Sequence, residues 1–494
     1  MDIHVLAPAP VLVVHVLVLV VVVNRELPDI SMTSLGSQLK VFTEGFREIF
    51  SKQGNLPAAG LYHHRIHLDG GSSRVHLRVN PDLTGCLVVD AAQMIHLNPT
   101  ATVIAYHYLN GRSEERINHL VSRSFNVDRN ELMLDVSQTI NQIHELTRPN
   151  GACPIHELEL DTTMPFSAKL TAPYRMDLAI TYRCNNDCHH CYNARSRTFP
   201  EMDTSHWKRV IDKVWDLSIP HIVFTGGEPT LREDLPELIA YAEKKGLITG
   251  LNTNGRRLSQ TNYVSTLVDA GLDHVQITLE SHLPDIHDQI VNSIGAWKQT
   301  SAGIQNAVNS RLFVMTNSTL LQSNSLFIDG LLNYLSGLAV PTIGLNSLIY
   351  SGKGANVNSG LKEAELDVYL SKAKEHVQKS GQKLIWYTPT QYCHFDPVTQ
   401  ELGIKGCSAA RYNMCIEPDG SVLPCQSYYV ALGNILKDSW DSIWNHPLSE
   451  SIRNRSNIPQ KCSDCSLLVE CGGGCPLQFD VGNESAAIAE QYVN

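Results

Sequence analysis

Basic residues are scarce in this chain, and they are not clustered. The sequence has 39 Lys and Arg residues against 50 Asp and Glu, which gives a formal net charge of −11. No run of basic residues reaches five. A net negative charge disfavours non-specific binding to a phosphate backbone, and no local basic patch offsets it. The composition therefore predicts no nucleic-acid partner.

Cysteine is too sparse for a small disulfide scaffold, because thirteen cysteines are spread over 494 residues. With 43% hydrophobic residues, a chain of this length is expected to form about three domains with buried cores. Ten of the thirteen cysteines nevertheless fall in three tight groups. The grouping indicates metal sites, and the unpaired cysteines that such sites need predict a reducing, cytoplasmic location.

Residues 1–31 form a hydrophobic extension that differs from the rest of the chain. Residues 5–23 are apolar except for one histidine and approach the ~20 residues needed to span a bilayer. Pro8 and Pro10 interrupt this run, and no basic segment precedes it as in a secretory signal. Three interpretations stay open: an artefactual extension upstream of a true start at Met32, a weak membrane anchor, or an export signal.

Three zones follow this extension. Residues 60–150 are expected to form a small domain of three strands followed by three helices. Residues 170–355 alternate strand and helix, which predicts parallel pairing with right-handed crossovers. The strands predicted in this second zone lie at residues 176–182, 221–225, 248–252, 274–279, 311–316 and 342–349. Six units are too few to close an eight-stranded barrel, so we expect an open partial barrel with its chemistry at the carboxyl ends of the strands.

The third zone, residues 360–480, begins with a helix and then becomes rich in loops and cysteine. Such a region has little aliphatic periodicity and usually needs metal ions or disulfides to hold it together. We favour metal.

The first cysteine group has the spacing CxxxCxxC and follows the first predicted strand of the second zone. Three thiolates from one loop can hold three irons of a four-iron cluster and leave the fourth iron without a protein ligand. The alternative, a structural zinc site, needs a fourth Cys or His, for which His189 and His190 lie inside the loop. The group consists of Cys184, Cys188 and Cys191.

A Gly-Gly-Glu-Pro segment follows the second predicted strand, and with the first cysteine group it resembles the radical S-adenosylmethionine (SAM) superfamily. The resemblance implies a partial (β/α)6 barrel and a [4Fe-4S] cluster whose open iron is chelated by SAM. It also implies a 5′-deoxyadenosyl radical that abstracts a substrate hydrogen, and a ferredoxin or flavodoxin as electron donor. The residues that would contact SAM are Gly226, Gly227, Glu228, Pro229, Asn252 and Asn254. The segment 351–354 sits where the family contacts the adenine side.

The two later cysteine groups resemble the SPASM extension of radical SAM enzymes, which carries one or two auxiliary [4Fe-4S] clusters. The family pattern implies that the first auxiliary cluster is held by the second cysteine group together with Cys475. The other cysteines of the third group would hold the second auxiliary cluster. The two groups are Cys407, Cys415 and Cys425, and Cys462, Cys465, Cys471 and Cys475. No cysteine follows Cys475, so the fourth ligand of the second cluster is open: Asp480 or another oxygen, Cys393, substrate, or none.

Cys86 and Cys153 have no partners at motif spacing. We expect both to be buried apolar residues or inert thiols.

Within the first zone, residues 80–101 and 111–121 resemble the PqqD-like family of winged-helix domains, which recognise leader peptides. Such domains bind by strand addition, in which the leader pairs with an open sheet edge. The alternative is a fold kept only for packing or dimerisation.

Together the resemblances imply an α/β radical SAM barrel between an N-terminal winged-helix-like α+β domain and a loop-rich iron–sulfur domain. The expected function is modification of a peptide, in particular a ribosomally made precursor bound through its leader. Two alternatives remain: a radical SAM/SPASM enzyme for a tetrapyrrole or a protein side chain, and a non-catalytic iron–sulfur electron-transfer protein.

Overall fold

A computed structural model describes residues 56–68, 71–90, 93–147, 170–456 and 458–479. The expectations for residues 1–31, Cys153 and Asp480 therefore lie outside the described residues. The described chain forms two compact units, one of residues 56–58 and 98–141 and the other of residues 59–97 and 142 onward. None of the described helices is both long enough and apolar enough to cross a membrane.

The first unit is built from helices. They are α1 (Pro99–Leu109), α2 (Glu114–Ser124) and α3 (Arg129–Thr147), the last of which runs on beyond the unit. The side chain of Asn98 caps α1 by accepting a hydrogen bond from the Ala101 N–H, and Ser113 caps α2 in the same way. Buried Val, Ile and Leu side chains from all three helices pack into one small core. The three helices predicted from the sequence are confirmed.

The second unit begins with a four-stranded antiparallel sheet, the N-terminal sheet, in the order β1-β2-β3-β4. Its strands are β1 (Gly60–Leu68), β2 (Gly71–Val79), β3 (Gly85–Val89) and β4 (Gln93–Leu97). The last three strands are those predicted, whereas β1 was missed. With three histidines and an arginine, β1 lacks the apolar alternation that marks a strand.

Polar side chains of β2 bind the N-terminal sheet to the rest of the second unit. Arg74 donates to Glu243 at 2.7 Å and to Asp273 at 2.8 Å. The ring of His76 hydrogen-bonds the Gly246 carbonyl at 2.6 Å, and Arg78 donates to the Ala172 carbonyl at 2.9 Å. These bonds explain why the N-terminal sheet belongs to the same compact unit as the barrel. The sequence predicted instead that the sheet and the three helices form one domain over residues 60–150.

A nine-stranded sheet dominates the described part of the second unit, with the order β11-β10-β9-β8-β7-β6-β5-β12-β13. Strands β5 to β11 are parallel to their neighbours, as expected for a partial barrel. They are β5 (Arg175–Thr181), β6 (His221–Gly226), β7 (Ile248–Thr253), β8 (His274–Thr278), β9 (Phe313–Leu320), β10 (Thr342–Ser347) and β11 (Lys383–Trp386). The six predicted strands, β5 to β10, are confirmed.

Helices connect these strands and bury their apolar faces against the sheet. They are α4 (Thr204–Asp216), α5 (Leu235–Lys245), α6 (Thr261–Asp269), α7 (Pro284–Ile290), α8 (Ala296–Val308), α9 (Ile328–Gly337) and α10 (Leu366–Ser380). Helix α5 ends at Gly246, whose φ of +97° is a left-handed conformation that favours glycine.

The C-terminal region extends the barrel sheet beyond β5. Strand β12 (Asn413–Ile416) pairs in parallel with β5, and β13 (Val422–Leu423) pairs in antiparallel with β12. This pairing sets Cys415 beside Asp177 of the first barrel strand. Four short helices follow: α11 (Trp440–Trp444), α12 (Pro447–Arg453), α13 (Leu468–Cys471) and α14 (Pro476–Phe479).

Candidate iron–sulfur and SAM site

The cluster loop, residues 184–191, leaves the carboxyl end of β5 and is held by backbone hydrogen bonds. The Asp187 and His189 N–H groups donate to carbonyls at the end of α7, each at 3.0 Å. The Asn186 N–H donates to the Cys184 sulfur at 3.4 Å. All three cysteines of the loop line one central cavity of about 700 Å³. The sequence prediction of a cysteine loop at a strand end is confirmed.

The three thiols of the cluster loop have the chemistry of iron–sulfur cluster ligands. Burial raises the pKa of Cys184 to about 11 and that of Cys188 well above its usual value. A buried thiolate is therefore stable only with a cation beside it. Three thiols that open into a cavity fit a four-iron cluster with one open iron. Among the described residues, no three Cys, His, Asp or Glu side chains are arranged to hold a single metal ion.

His190 of the cluster loop faces a carboxylate. Its Nε2 lies 3.1 Å from Oε1 of Glu280, which is fully buried. Burial opposes a charge on the ring, but the Glu280 carboxylate outweighs burial and raises the pKa of His190. This contact holds the ring in place between two cysteines. The sequence offered His190 as a possible zinc ligand, and the structure directs its Nε2 to Glu280.

Gly226 and Gly227 lie directly against the backbone that leads into the cluster loop. A Cβ on Gly226 would lie 2.0 Å from the Thr181 carbonyl oxygen, and one on Gly227 would lie 2.4 Å from that of Arg183. The Gly227 N–H donates to the Thr181 carbonyl at 2.8 Å. Both glycines also line the central cavity. Glycine is therefore needed here for close contact between the ends of two strands, in addition to any approach to a ligand.

Glu228 joins the Gly-Gly-Glu-Pro segment to the end of β7. Its fully buried carboxylate accepts hydrogen bonds from the Thr253 hydroxyl at 2.7 Å and the Asn254 N–H at 2.8 Å. Glu228 and Pro229 are not among the cavity-lining residues, whereas Asn252 and Asn254 are. The carboxylate of Glu228 thus positions the cavity wall rather than facing the cavity itself.

Two cationic side chains at the cluster loop meet one carboxylate. Arg197 and Lys353 donate to Asp187 Oδ1 at 2.8 and 2.6 Å, and Arg197 also donates to the Cys184 carbonyl. The Gly354 N–H donates to the Cys191 carbonyl at 3.2 Å, so the segment 351–354 packs on the loop. Arg197 cannot be recognised from the sequence, because no periodic pattern marks a polar loop residue.

The C-terminal region contacts the chain that follows the cluster loop. Arg195 makes a two-pronged ion pair with buried Glu417, at 2.7 and 2.9 Å, and the Tyr182 hydroxyl donates to the same carboxylate at 3.1 Å. A carboxylate held by a guanidinium and a hydroxyl is fixed in orientation. The turn after β12 is thereby attached to the barrel.

The auxiliary cysteines separate into two places. Cys407, Cys425 and Cys475 line the central cavity together with the cluster loop, and Cys415 is buried on β12 nearby. The other predicted ligands do not line that cavity; they are Cys462, Cys465 and Cys471. Cys86 is buried against Val88 and Tyr174, in agreement with an apolar role.

Comparisons with known proteins agree with this geometry. Residues 178–325 match the family model of the radical SAM superfamily, and residues 407–466 match that of SPASM, an iron-sulfur cluster-binding domain. PqqA peptide cyclase from Rhizobium meliloti is 27% identical over 334 residues, which cover 65% of this chain and 86% of the relative. Fe-coproporphyrin III synthase from Methanosarcina barkeri is 27% identical over 327 residues, covering 60% and 81%.

One solved structure resembles the chain over most of its length. It is Streptococcus suis SuiB bound to precursor peptide SuiA, with a TM-score of 0.61, 15% identity, and coverage of 82% of this chain and 94% of that one. At this identity the likeness concerns the fold.

The partial parallel barrel with its three-cysteine loop defines an iron–sulfur enzyme that uses SAM. The chain contains a radical SAM domain at residues 178–325 and a SPASM domain at residues 407–466. Its cofactors are SAM and [4Fe-4S] clusters. These matches indicate an enzyme and do not support the alternative of a non-catalytic electron-transfer protein.

Proposed function

We propose that this enzyme modifies a ribosomally made precursor peptide, which it binds through a leader on the edge of the N-terminal sheet. The observation that carries the proposal is the lining of the central cavity. Val88 of β3 and Met94 of β4 line the same cavity as Cys184, Cys188 and Cys191. A chain added to this sheet would therefore lie beside the entrance to the reactive site.

Strand β4 is the sheet edge suited to a leader. In the described residues β4 pairs only with β3, so it is an edge strand of the N-terminal sheet. Side chains along β4 alternate between half-buried and exposed, and Met94 is 48% exposed. The opposite edge of the sheet is β1, and this strand contacts a barrel helix: Arg65 of β1 donates to Glu243 of α5 at 3.2 Å. Strand addition at β4 would use backbone bonds for affinity and alternate side chains for selectivity.

The names of similar proteins support a peptide substrate. One curated relative is a peptide cyclase, and the SuiB structure contains a precursor peptide. Another relative is an Fe-coproporphyrin III synthase. Porphyrins of that kind carry several carboxylates. The Arg and Lys residues that line the cavity already have carboxylate partners. The pairs are Arg175 with Asp177, Arg195 with Glu417, and both Arg197 and Lys353 with Asp187. This pairing leaves little positive charge for a polycarboxylate and favours a peptide.

We assign the first cluster to Cys184, Cys188 and Cys191, and the first auxiliary cluster to Cys407, Cys415, Cys425 and Cys475. When bound, the reduced cluster and SAM together supply one-electron cleavage of SAM and removal of a substrate hydrogen atom. The backbone of Gly226 and Gly227 and the amides of Asn252 and Asn254 would hold the polar groups of SAM, because all four line the cavity. Glu228 fixes the Asn254 backbone through its hydrogen bond.

Two further assignments complete the proposal. The electron donor is a ferredoxin or flavodoxin, small carriers able to deliver single electrons to an iron–sulfur protein. The enzyme works in the cytoplasm, because its ligand cysteines must remain unpaired, as all the described cysteines are.

The test compares two exposed methionines. The probe is a full-length precursor peptide, to be sought as the product of a short reading frame beside this gene, and modification is followed by mass spectrometry. Met94→Glu places a charge on the proposed leader edge and should raise KM for the peptide by about tenfold or more. The matched control is Met133→Glu, at a methionine that is 60% exposed on α3, and its KM should stay unchanged.

The substrate arm of the test uses the same peptide without its leader, and an iron tetrapyrrole from which Fe-coproporphyrin III could form. The proposal predicts weaker binding of the shortened peptide and no formation of Fe-coproporphyrin III. Formation of Fe-coproporphyrin III, or equal KM values for Met94→Glu and the wild type, would overturn it.

A further inference from the structure

Three cysteines of the third group lie close together but away from the central cavity. Cys462 ends a short 3₁₀ turn, and the Cys465 N–H donates to its carbonyl at 3.2 Å. Cys471 ends α13, where its N–H donates to the Leu467 carbonyl at 2.9 Å. Cys475 lies elsewhere, since it lines the central cavity with Cys407 and Cys425. A second auxiliary site built from the third group alone therefore has three thiols.

A fourth thiol reaches this place from a different part of the chain. The Cys471 sulfur lies 3.5 Å from the Thr390 carbonyl oxygen and 3.4 Å from the Tyr392 nitrogen. Cys393 is the next residue along that segment. Burial raises the pKa of Cys462, and the thiols of Cys471, Cys393 and Cys465 lie near enough to raise it further.

The segment before Cys393 has a fixed conformation. The Gln391 N–H donates to the buried Glu363 carboxylate at 3.1 Å, and the Gln391 carbonyl accepts from the His394 N–H at 2.8 Å. The Tyr392 hydroxyl accepts from the Lys405 N–H at 2.9 Å. This turn holds Cys393 beside Cys471 before any metal binds, which reduces the cost of forming a site.

We propose that Cys393 is the fourth cysteine ligand of the second auxiliary cluster, together with Cys462, Cys465 and Cys471. The assignment rests on the proposed function and on the family pattern, which implies that Cys462, Cys465 and Cys471 serve a second auxiliary cluster. A [4Fe-4S] cluster with four cysteine ligands has no open iron. The second cluster would then transfer electrons and would not bind substrate. Cys393 and Cys465 are exposed, so this cluster would lie near the surface, within reach of an electron-carrier protein.

The test uses the full chain with Cys184, Cys188 and Cys191 changed to alanine, so that only auxiliary clusters remain. This parent should hold about eight irons after anaerobic reconstitution. Cys393→Ala should lose at least one iron per chain and, on oxidation, give the EPR signal of a three-iron cluster. The control is Cys86→Ala, which removes a buried thiol away from the proposed ligands and should keep the iron and spectrum of the parent.

Two further variants complete the design. Cys393→Ser offers an oxygen ligand and should retain the iron while shifting the reduction potential of one cluster. Cys462→Ala should lose about as much iron as Cys393→Ala or more. If Cys462→Ala loses iron but Cys393→Ala matches Cys86→Ala in iron, EPR signal and potential, the role of Cys393 is refuted while the second cluster stands. If neither variant loses iron, both the second cluster and its fourth ligand are refuted.

Discussion

Substitution of Gly227 by alanine tests the close contact between the Gly-Gly-Glu-Pro segment and the base of the cluster loop. The new Cβ would lie 2.4 Å from the Arg183 carbonyl oxygen, whereas an ordinary contact begins at 3.4 Å. The two backbones must therefore separate by about 1 Å (3.4 − 2.4). Forcing an extra methyl into a packed region costs ~1–3 kcal/mol, and here the obstacles are backbone atoms that cannot rotate away. We therefore expect the free energy of unfolding to fall by ~3 kcal/mol.

The functional effect of this substitution should exceed its effect on stability. Arg183 directly precedes Cys184, so a shift of about 1 Å is passed to the cluster loop, and misplacement of that size can reduce a rate by about 100-fold. The assay is formation of 5′-deoxyadenosine from SAM by reduced, reconstituted protein, together with urea unfolding.

The matched control is Gly337→Ala, at the exposed end of α9. A Cβ there would meet nothing within 4 Å, so alanine should keep activity and stabilise the protein by up to about 1 kcal/mol. Wild-type stability and SAM cleavage in Gly227→Ala would refute the reasoning.

Two other predictions concern buried titratable groups. Glu228→Gln replaces one carboxylate oxygen, which accepts a hydrogen bond from Thr253 or Asn254, by an amide group that donates. Because one of these hydrogen bonds is lost, the affinity for SAM should fall about tenfold. An unchanged Kd for SAM in equilibrium dialysis would contradict this prediction. Burial lowers the pKa of His76 to about 3, against about 6.5 when unfolded. The unfolded state then binds more protons below about pH 6.5, so His76 alone should lower the free energy of unfolding by about 2 kcal/mol from pH 7 to pH 5. His76→Gln should remove that part of the pH dependence and His67→Gln, at an exposed site, should not; equal slopes in the two variants would sink the prediction.

The barrel could be predicted because its signals are local. Strands β5 to β10 are apolar runs bounded by turn residues, and glycine marks helix ends such as that of α5 at Gly246. The cluster loop and the Gly-Gly-Glu-Pro segment carry residue types that their chemistry requires at fixed spacing. These parts depend little on contacts distant in sequence.

The missed features depend on contacts between distant residues. Strands β12 and β13 have four and two residues, and β12 exists because it pairs with β5 more than 200 positions earlier. The roles of Glu228 and Arg197 follow from partners that only the fold brings together. Strand β1 is polar because histidine and arginine side chains replace apolar ones where the sheet meets α5.

The central claim is that the cluster loop holds an iron–sulfur cluster on which SAM is cleaved. Its most direct test measures 5′-deoxyadenosine formed from SAM by the anaerobically reconstituted, reduced wild-type protein and by Cys188→Ala. The account predicts product from the wild type, and none from Cys188→Ala, which should also lose about four irons while keeping its auxiliary clusters. A fully loaded wild type that forms no 5′-deoxyadenosine, or a Cys188→Ala variant that forms as much as the wild type, would contradict it.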